Sequence, residues 1–407
     1  MSNKTAADAK LRDLPPAIWV LAIISFCVAL GFGIVAPTIP LFGRSFGVSA
    51  FAASTVISIF ALMRVVSAPF AARFIDRIGE RFTLSAGLIM VSVSSALSGL
   101  ADTFGQLLFM RAAGGLGSSM FTVSAMSLVV RMAPRELRAR AVGLYQSGFL
   151  IGALFGPAIG GVVLAISLRA PFFFYAGATA LAALVAAVLL SKDRTADPEI
   201  HDDNAGHESP LRLIDGFRHA GYRAAFTVAA VGGFTIFGLR AAAVPLYVTE
   251  QLLEPASLVA YGFFLSALAQ GLLFMPASKY ADVKGRRPAM LIGSVIMVIS
   301  ASLLLGWETR SGYLLSMAIL GFAGAFLSTT PSAIVGDVVE GKRRGPLLAA
   351  FQMAGDFGAI VGPLVAGLMV DNYGFSSVFA VGLGATLIGL VVVLMMPKAP
   401  TKPAVAS

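Results

Sequence analysis

The sequence predicts an all-α membrane protein in which twelve transmembrane helices form two pseudo-symmetric six-helix bundles. Three observations lead to this prediction: the chain carries little charge, it contains twelve apolar runs, and its two halves repeat at one fixed offset. Of its 407 residues, 57% are hydrophobic and 13% are charged, whereas soluble domains carry about 25% charged residues. A water-soluble fold of this length needs more charge on its surface, so the composition favours a chain surrounded by lipid.

Each apolar run is long enough to cross a bilayer as a helix. A crossing takes about twenty residues, because every backbone amide must be paired within the segment. Such runs lie at 17–42, 50–72, 82–101, 104–130, 139–166, 171–191, 222–247, 256–278, 288–307, 311–335, 346–369 and 375–396. We therefore expect a six-helix bundle at 1–191, a polar cytoplasmic linker at 192–221 and a second six-helix bundle at 222–407.

The cations predict the orientation, since loops rich in Lys and Arg stay in the cytoplasm. On the face that contains both chain termini lie 24 of the 30 Lys and Arg residues, and only Arg44, Arg169 and Arg310 lie on the other face. We expect a multi-pass protein of the inner (plasma) membrane with both termini cytoplasmic. The net charge of +9 is then an insertion signal, and the lipid bilayer rather than nucleic acid is the expected partner.

An internal repeat relates the two halves at an offset of 206 residues. The loop residues Asp76, Gly79 and Arg81 match Asp282, Gly285 and Arg287. Further along, Gly152, Gly156, Pro157 and Gly161 match Gly358, Gly362, Pro363 and Gly367. Transporters build a midplane site between such repeats, so two homologous six-helix bundles are the simplest interpretation.

The loop between the second and third runs carries a motif, Asp76-Arg77-Ile-Gly79-Glu80-Arg81. It resembles the cytoplasmic loop signature G-x-x-x-D-R-x-G-R-R of the major facilitator superfamily, with Glu80 in place of a basic residue. Its repeat contains Asp282, Gly285, Arg286 and Arg287. The resemblance implies a charged gating latch between the halves, although an arginine-rich turn that only fixes topology remains open. We expect Asp76 to contact the start of the eleventh helix, near Arg344, Gly345 and Pro346, because helix N-termini attract carboxylates.

The fifth run contains a glycine series that fits G-x8-G-x3-G-P-x2-G-G. Its members are Gly143, Gly152, Gly156, Pro157, Gly160 and Gly161. The series resembles the antiporter signature of exporters in the same superfamily, which implies export. Small residues on one stripe allow another helix to approach closely, and Pro157 permits a bend. We expect Gly156 and Gly160 to contact the eighth helix.

Four ionisable residues lie within predicted spans, where charge is costly and therefore marks function: Arg64, Arg111, Arg240 and Asp356. Leu107-x3-Arg111-x3-Gly115 resembles the helix 4 signature of the drug:proton antiporter branch, as Leu30-Gly31 with Pro37 resembles that of helix 1, and the Arg is implied to handle protons. Asp356 is the only acid near the middle of a span, which suits a proton carrier, and we expect it to pair with Arg64. Arg240 is a candidate for substrate binding, for an outer gate or for a structural role.

Together these patterns favour a proton-coupled antiporter that exports hydrophobic or amphipathic small molecules by alternating access. Alternatives are an uptake symporter or facilitator for a small metabolite, or a lipid flippase. An enzyme is not expected, because all three histidines lie in the linker and no catalytic constellation lies in the spans. We expect a monomer without cofactor or metal. Aromatic and Met side chains of helices 1, 4, 7 and 10 are candidates to line the cavity: Phe26, Phe32, Met120, Phe121, Phe234, Phe237, Phe322 and Phe326.

Overall fold

The computed structural model describes residues 14–134, 137–164, 166–190, 213–338 and 345–397. These ranges contain no strand and twelve helices long and apolar enough to cross a membrane, which confirms the predicted fold class. We label them in chain order: α1 Pro16–Arg44, α2 Ala50–Ile78, α3 Glu80–Gly99, α4 Phe104–Met132, α5 Arg138–Leu164, α6 Ala170–Leu189, α7 Ala220–Gln251, α8 Ala256–Lys284, α9 Arg286–Gly306, α10 Arg310–Val338, α11 Gly345–Tyr373 and α12 Phe375–Leu394.

Helices α2 and α8 run furthest past the apolar segments from which they were predicted. Helix α2 continues to Ile78 and α8 to Lys284, six residues beyond the predicted ends at 72 and 278. Each stops where a glycine adopts a positive φ, +85° at Gly79 and +102° at Gly285, a conformation that other residues adopt only at a cost. A turn signal, rather than the loss of hydrophobicity, therefore ends these helices.

Side-chain caps define several helix starts on the opposite face. Ser49 Oγ accepts a hydrogen bond from Ala52 N at the start of α2, and Thr309 Oγ1 accepts one from Gly312 N in α10. Thr103 forms a capping box with Gln106 at the start of α4. These bonds pair amide groups that a helix leaves unpaired in its first turn.

The contacts divide the described residues into two compact units. One contains the described residues of 14–190 with Ala241–Phe264 and Ala366–Asp371. The other contains the described residues of 213–240, Leu265–Val365 and 372–397. The first unit is filled by side chains such as Leu21, Leu88 and Leu128, and the second by side chains such as Tyr222 and Met290. The division at 191 and 221 remains a prediction, because these units group parts of helices rather than whole bundles.

Apolar side chains also cover the outside of the helices. Phe109, Leu272 and Met275 are all more than two-thirds exposed, as expected of a surface in contact with lipid. Of the predicted linker, residues 192–212 lie outside the described part of the chain. The rest includes a short helix, Leu213–Arg218, that packs against Leu347 through Gly216.

Candidate functional site

The glycines of α5 lie against α1. A Cβ added at Gly156 would lie 2.7 Å from Gly33 Cα, and one at Gly152 would lie 2.8 Å from Ala29 Cβ. A Cβ at Gly160 would lie 3.0 Å from the carbonyl oxygen of Ile34. These distances are too short for a side chain, so the two backbones pack directly on each other.

The expected tight contact is therefore present, but the prediction that α8 is the partner of Gly156 and Gly160 is wrong. The partner is α1, and the neighbouring Gly161 faces α8, where a Cβ would lie 2.7 Å from Ala260 Cβ. Successive residues of an α-helix point about 100° apart, so adjacent glycines serve two different neighbours. An added Cβ at Gly143 would meet no described atom within 4 Å. Close packing therefore does not explain why a glycine occupies this position.

The repeated glycines pack in the same way in the second unit. A Cβ at Gly362 of α11 would lie 2.6 Å from Gly238 Cα, and one at Gly358 would lie 2.9 Å from the carbonyl carbon of Gly233, both in α7. Pro157 and Pro363, which follow Gly156 and Gly362, lie inside their helices. The helix pairs α1–α5 and α7–α11 thus pack through equivalent glycines of α5 and α11.

Arg111 of α4 is buried in the first unit, with 2% of its surface exposed. Its guanidinium carbon lies 4.4 Å from the centre of the Phe60 ring, a distance at which a cation is attracted to an aromatic face. Its Nε has no hydrogen-bond partner among the described residues. Tyr175 of α6 interacts electrostatically with both Arg111 and Arg64, so two of the predicted site residues lie in the same region of the first unit.

Aromatic rings enclose this arginine. Phe32 lies 6.3 Å, between ring centres, from both Phe60 and Tyr175. Phe121, another candidate to line the cavity, belongs to the buried core of the first unit. The 3.6-residue period marks an inward face, but it does not distinguish a bundle core from a cavity.

Arg240 of α7 occupies a comparable position in the second unit. Its Nη1 donates to Ser266 Oγ at 3.3 Å, and it lies close to the fully buried Tyr313. The residues before it, Gly233–Leu239, form a π-helical stretch, a feature that is often found at functional sites. Arg240 thus contacts a polar group of α8, which is compatible with each of its three predicted roles.

Asp356 lies well inside α11, eleven residues after its start. The other acids of the twelve helices lie within two residues of a helix end: Asp76, Glu80, Glu250, Asp282, Asp337 and Asp371. At 1.5 Å per residue, Asp356 lies roughly 16 Å along its helix. Arg64 and Asp356 belong to different compact units, and their pairing remains a prediction.

The two loops predicted to form a gating latch contain ion pairs that the motif alone does not show. Glu80 accepts from Ser127 at 3.3 Å and pairs with Arg131 of α4 at 3.0 Å. In the repeat, Arg286 pairs with Asp282 of its own loop and with Asp337 of α10 at 3.7 Å. The departure of Glu80 from the superfamily pattern thus has a structural reason: α4 ends in an arginine where α10 ends in an aspartate.

The other loop residues lie at the surface or bind backbone. Asp76 and Arg77 are exposed, Arg81 is half-buried, and Arg287 donates to the carbonyl oxygen of Leu394 at 3.1 Å. The predicted contact of Asp76 falls on Arg344, which lies outside the described residues, and on Gly345 and Pro346, whose side chains are likewise not described. That contact remains a prediction.

Sequence reasoning missed the partners of these charges. Arg131 and Asp337 are separated by 206 residues, as are Glu80 and Arg286. Arg44 and Glu250, which also pair, stand at the same offset. A search for opposite charges at repeated positions would have found the Arg44–Glu250 pair, and it would have marked the four loop positions whose partners lie within their own half. Among the described residues no group of three or more His, Cys, Asp or Glu side chains is placed to hold a metal ion.

Comparison with known proteins gives full-length matches. The family model described as Major Facilitator Superfamily matches residues 21–254 and 226–407. Quinolone resistance protein NorA of Staphylococcus aureus (strain MRSA252) is 26% identical over 389 residues, covering 93% of this chain and 96% of that protein. Multidrug resistance protein 2 of Bacillus subtilis (strain 168) is 24% identical over 390 residues, covering 91% and 94%.

A solved structure matches the fold. A POT family transporter in complex with 5-aminolevulinic acid has a TM-score of 0.73 at 13% identity, covering 94% of this chain and 95% of that one. At that identity the match establishes the architecture alone. The family model, in contrast, spans nearly the whole sequence. The chain therefore belongs to the Major Facilitator Superfamily of membrane transporters.

Proposed function

We propose that this transporter is a proton-coupled antiporter that exports hydrophobic or amphipathic small molecules by alternating access, with both termini in the cytoplasm. The observation that carries the proposal is the match of two relatives, named for quinolone and multidrug resistance, over 93% and 91% of the chain. The direct packing of α5 on α1 supports it, because the glycines that make the contact form the series that resembles the antiporter signature.

Asp356 is the residue assigned to proton uptake and release. It is the one acid of the described membrane helices that lies far from a helix end. Because a carboxyl group at such a depth destabilises the membrane-embedded helix, its presence there indicates a function. In the proposed mechanism it alternates between a protonated form and a form paired with Arg64. Arg111 is assigned to the same proton-handling set, because the sequence around it resembles the helix 4 signature of the drug:proton antiporters.

The experiment is dye transport in proteoliposomes that contain the purified protein. An imposed pH gradient should drive uptake of a lipophilic fluorescent dye against its concentration gradient, and a protonophore should abolish the uptake. If the rate of dye uptake does not depend on the pH gradient, proton coupling is refuted, but transport of the dye is not. Movement only in the direction of cellular uptake, measured with inverted membrane vesicles, would refute export.

Asp356→Asn separates coupling from transport. We expect this variant to lose pH-driven accumulation at least tenfold, while it still exchanges dye down a concentration gradient, because the neutral amide cannot release a proton. The matched control is Asp102→Asn, which removes an exposed acid at a helix end and should behave as the unaltered protein. Accumulation that survives Asp356→Asn would end the proposed role of this residue.

A further inference from the structure

A second set of charges lies where α1, α7 and α11 end and α2 begins, the face predicted to be extracytoplasmic. Asp371, two residues before the end of α11, accepts hydrogen bonds from the first two amides of α2. Its Oδ1 lies 2.9 Å from Ala50 N and its Oδ2 lies 2.8 Å from Phe51 N. A helix start leaves these amides unpaired and carries partial positive charge, so a carboxylate stabilises it there.

An ion pair lies beside this cap. Arg44, at the end of α1, donates from Nε and Nη2 to the two carboxylate oxygens of Glu250, at 2.8 and 3.1 Å. Its Nη1 donates to the carbonyl oxygen of Val48 at 2.7 Å, in the turn that leads into α2. Such two-point Arg–carboxylate pairs are among the stronger ion pairs, and this one fixes the turn between α1 and α2 to the end of α7.

The backbones meet at the same place. One turn before Asp371, a Cβ on Gly367 would lie 2.5 Å from Phe51 Cα and 2.7 Å from the carbonyl oxygen of Ala50. All these residues belong to one compact unit, in which the ends of α7 and α11 are grouped with the first six helices. The chain therefore places a carboxylate cap, an ion pair and a glycine contact at one junction.

The equivalent junction of the repeat lacks the charge. Gly161 is the counterpart of Gly367 and packs on Ala260 of α8. At the position of the carboxylate, however, the sequence has Ala165 where the second half has Asp371. The α2–α11 junction is thus closed by charges, whereas the α5–α8 junction relies on small apolar residues.

We propose that Asp371, with the Arg44–Glu250 pair, forms a latch that holds the extracytoplasmic ends of the helices together and must release before substrate leaves on that side. The latch mirrors the contact predicted for Asp76. In that contact the end of α2 caps the start of α11, and here the end of α11 caps the start of α2. In alternating access one cap forms as the other breaks, so the inference rests on the proposed mechanism.

The test measures opening directly, independently of any substrate. In a Cys27→Ser background, spin labels at Asp102→Cys and Gln251→Cys report the distance between the α3–α4 connection and the end of α7 at this face. Both positions are exposed. Asp371→Asn retains the shape of the side chain but directs an amide donor at a backbone donor, so we expect about a fivefold rise in the fraction of long distances.

Two further variants decide between a latch and general damage. Glu308→Gln removes a different acid of the same face, one that accepts from Ser376 at 2.8 Å, and should leave the distances unchanged. Arg44→Glu should open the face and Arg44→Glu with Glu250→Arg should close it again. Unchanged distances in Asp371→Asn, or no recovery in the double variant, would overturn the latch. If the distances change as expected but the unaltered protein transports no dye, the latch is supported and the proposed function is refuted.

Discussion

In each half of the chain an ion pair joins the start of the third helix to the end of the fourth, but the two halves place the charges in opposite order. In the first half the acid is Glu80 and the base is Arg131. In the second half the base is Arg286 and the acid is Asp337. Both pairs occupy the same repeated positions, 206 residues apart. Both halves therefore have an ion pair between these two positions, but the position that is acidic in one half is basic in the other.

Arg111 and Arg240 show a similar relationship. Phe60 and Ser266 are equivalent positions of α2 and α8, and each contacts the intramembrane arginine of its own unit. Phe60 offers an aromatic face to Arg111, and Ser266 offers a hydroxyl to Arg240. Because the arginines themselves stand at unrelated positions, the repeat provides equivalent surroundings but different chemistry. Changes that exchange features between the halves test this directly.

The largest effect is expected from a side chain in the backbone contact shared by both halves. Gly156→Leu and its counterpart Gly362→Leu should each abolish dye efflux and reduce folded protein, because overpacking here costs about 3 kcal/mol or more. Efflux assays and size-exclusion profiles of the solubilised protein measure this. Gly143→Ala is the matched control, with open space around the added methyl. Normal efflux by Gly156→Leu would refute the packing account.

The next effect concerns the ring under Arg111. Phe60→Leu retains apolar volume but removes the aromatic face, and should lower stability by about 2 kcal/mol in this desolvated place. Ser266→Ala, which removes one hydrogen bond to Arg240, should cost about 1 kcal/mol. Thermal unfolding in detergent provides the comparison. In an Arg111→Met background the extra cost of Phe60→Leu should vanish, and a cost that persists would assign it to packing alone.

The sequence was sufficient for the elements and for the positions of the glycines. Apolar runs predict twelve helices because the bilayer demands about twenty residues with internally paired amides. The sequence did not identify the partner of Gly156, since a stripe of small residues does not indicate which helix packs against it. It also did not predict the helix cap formed by Asp371. Asp371 bonds to backbone amides 320 and 321 residues away, and amides carry no sequence signature. In the sequence Glu80 is only a departure from the motif, whereas the structure shows that it forms an ion pair with Arg131.

A smaller effect is expected when the ion pair of one half is rewritten as that of the other. Arg131→Asp alone places two carboxylates together, and should lower efflux about twofold to threefold, because the Glu80 side chain is only 12% exposed and that of Arg131 is 46% exposed. Adding Glu80→Arg recreates the order found in the second half and should restore efflux. Rates measured at low salt give the sharpest contrast. If the double variant is no better than Arg131→Asp, the two positions are not coupled.

The smallest effect is expected at the opposite face, where the halves again differ at one repeated position. Asp102 pairs with Arg169 at 3.2 Å, and its counterpart Glu308 accepts from Ser376 instead. The Asp102 side chain is 81% exposed and that of Arg169 is 45% exposed, so solvent screens the pair and it should contribute less than about 0.5 kcal/mol. Asp102→Asn and Glu308→Gln should both leave the efflux rate and the unfolding temperature within error, at low salt and at high salt. A loss of efflux in Asp102→Asn but not in Glu308→Gln would contradict this expectation. It would show that transport depends on the exposed ion pair of the first half and not on the hydrogen bond at the equivalent position of the second half.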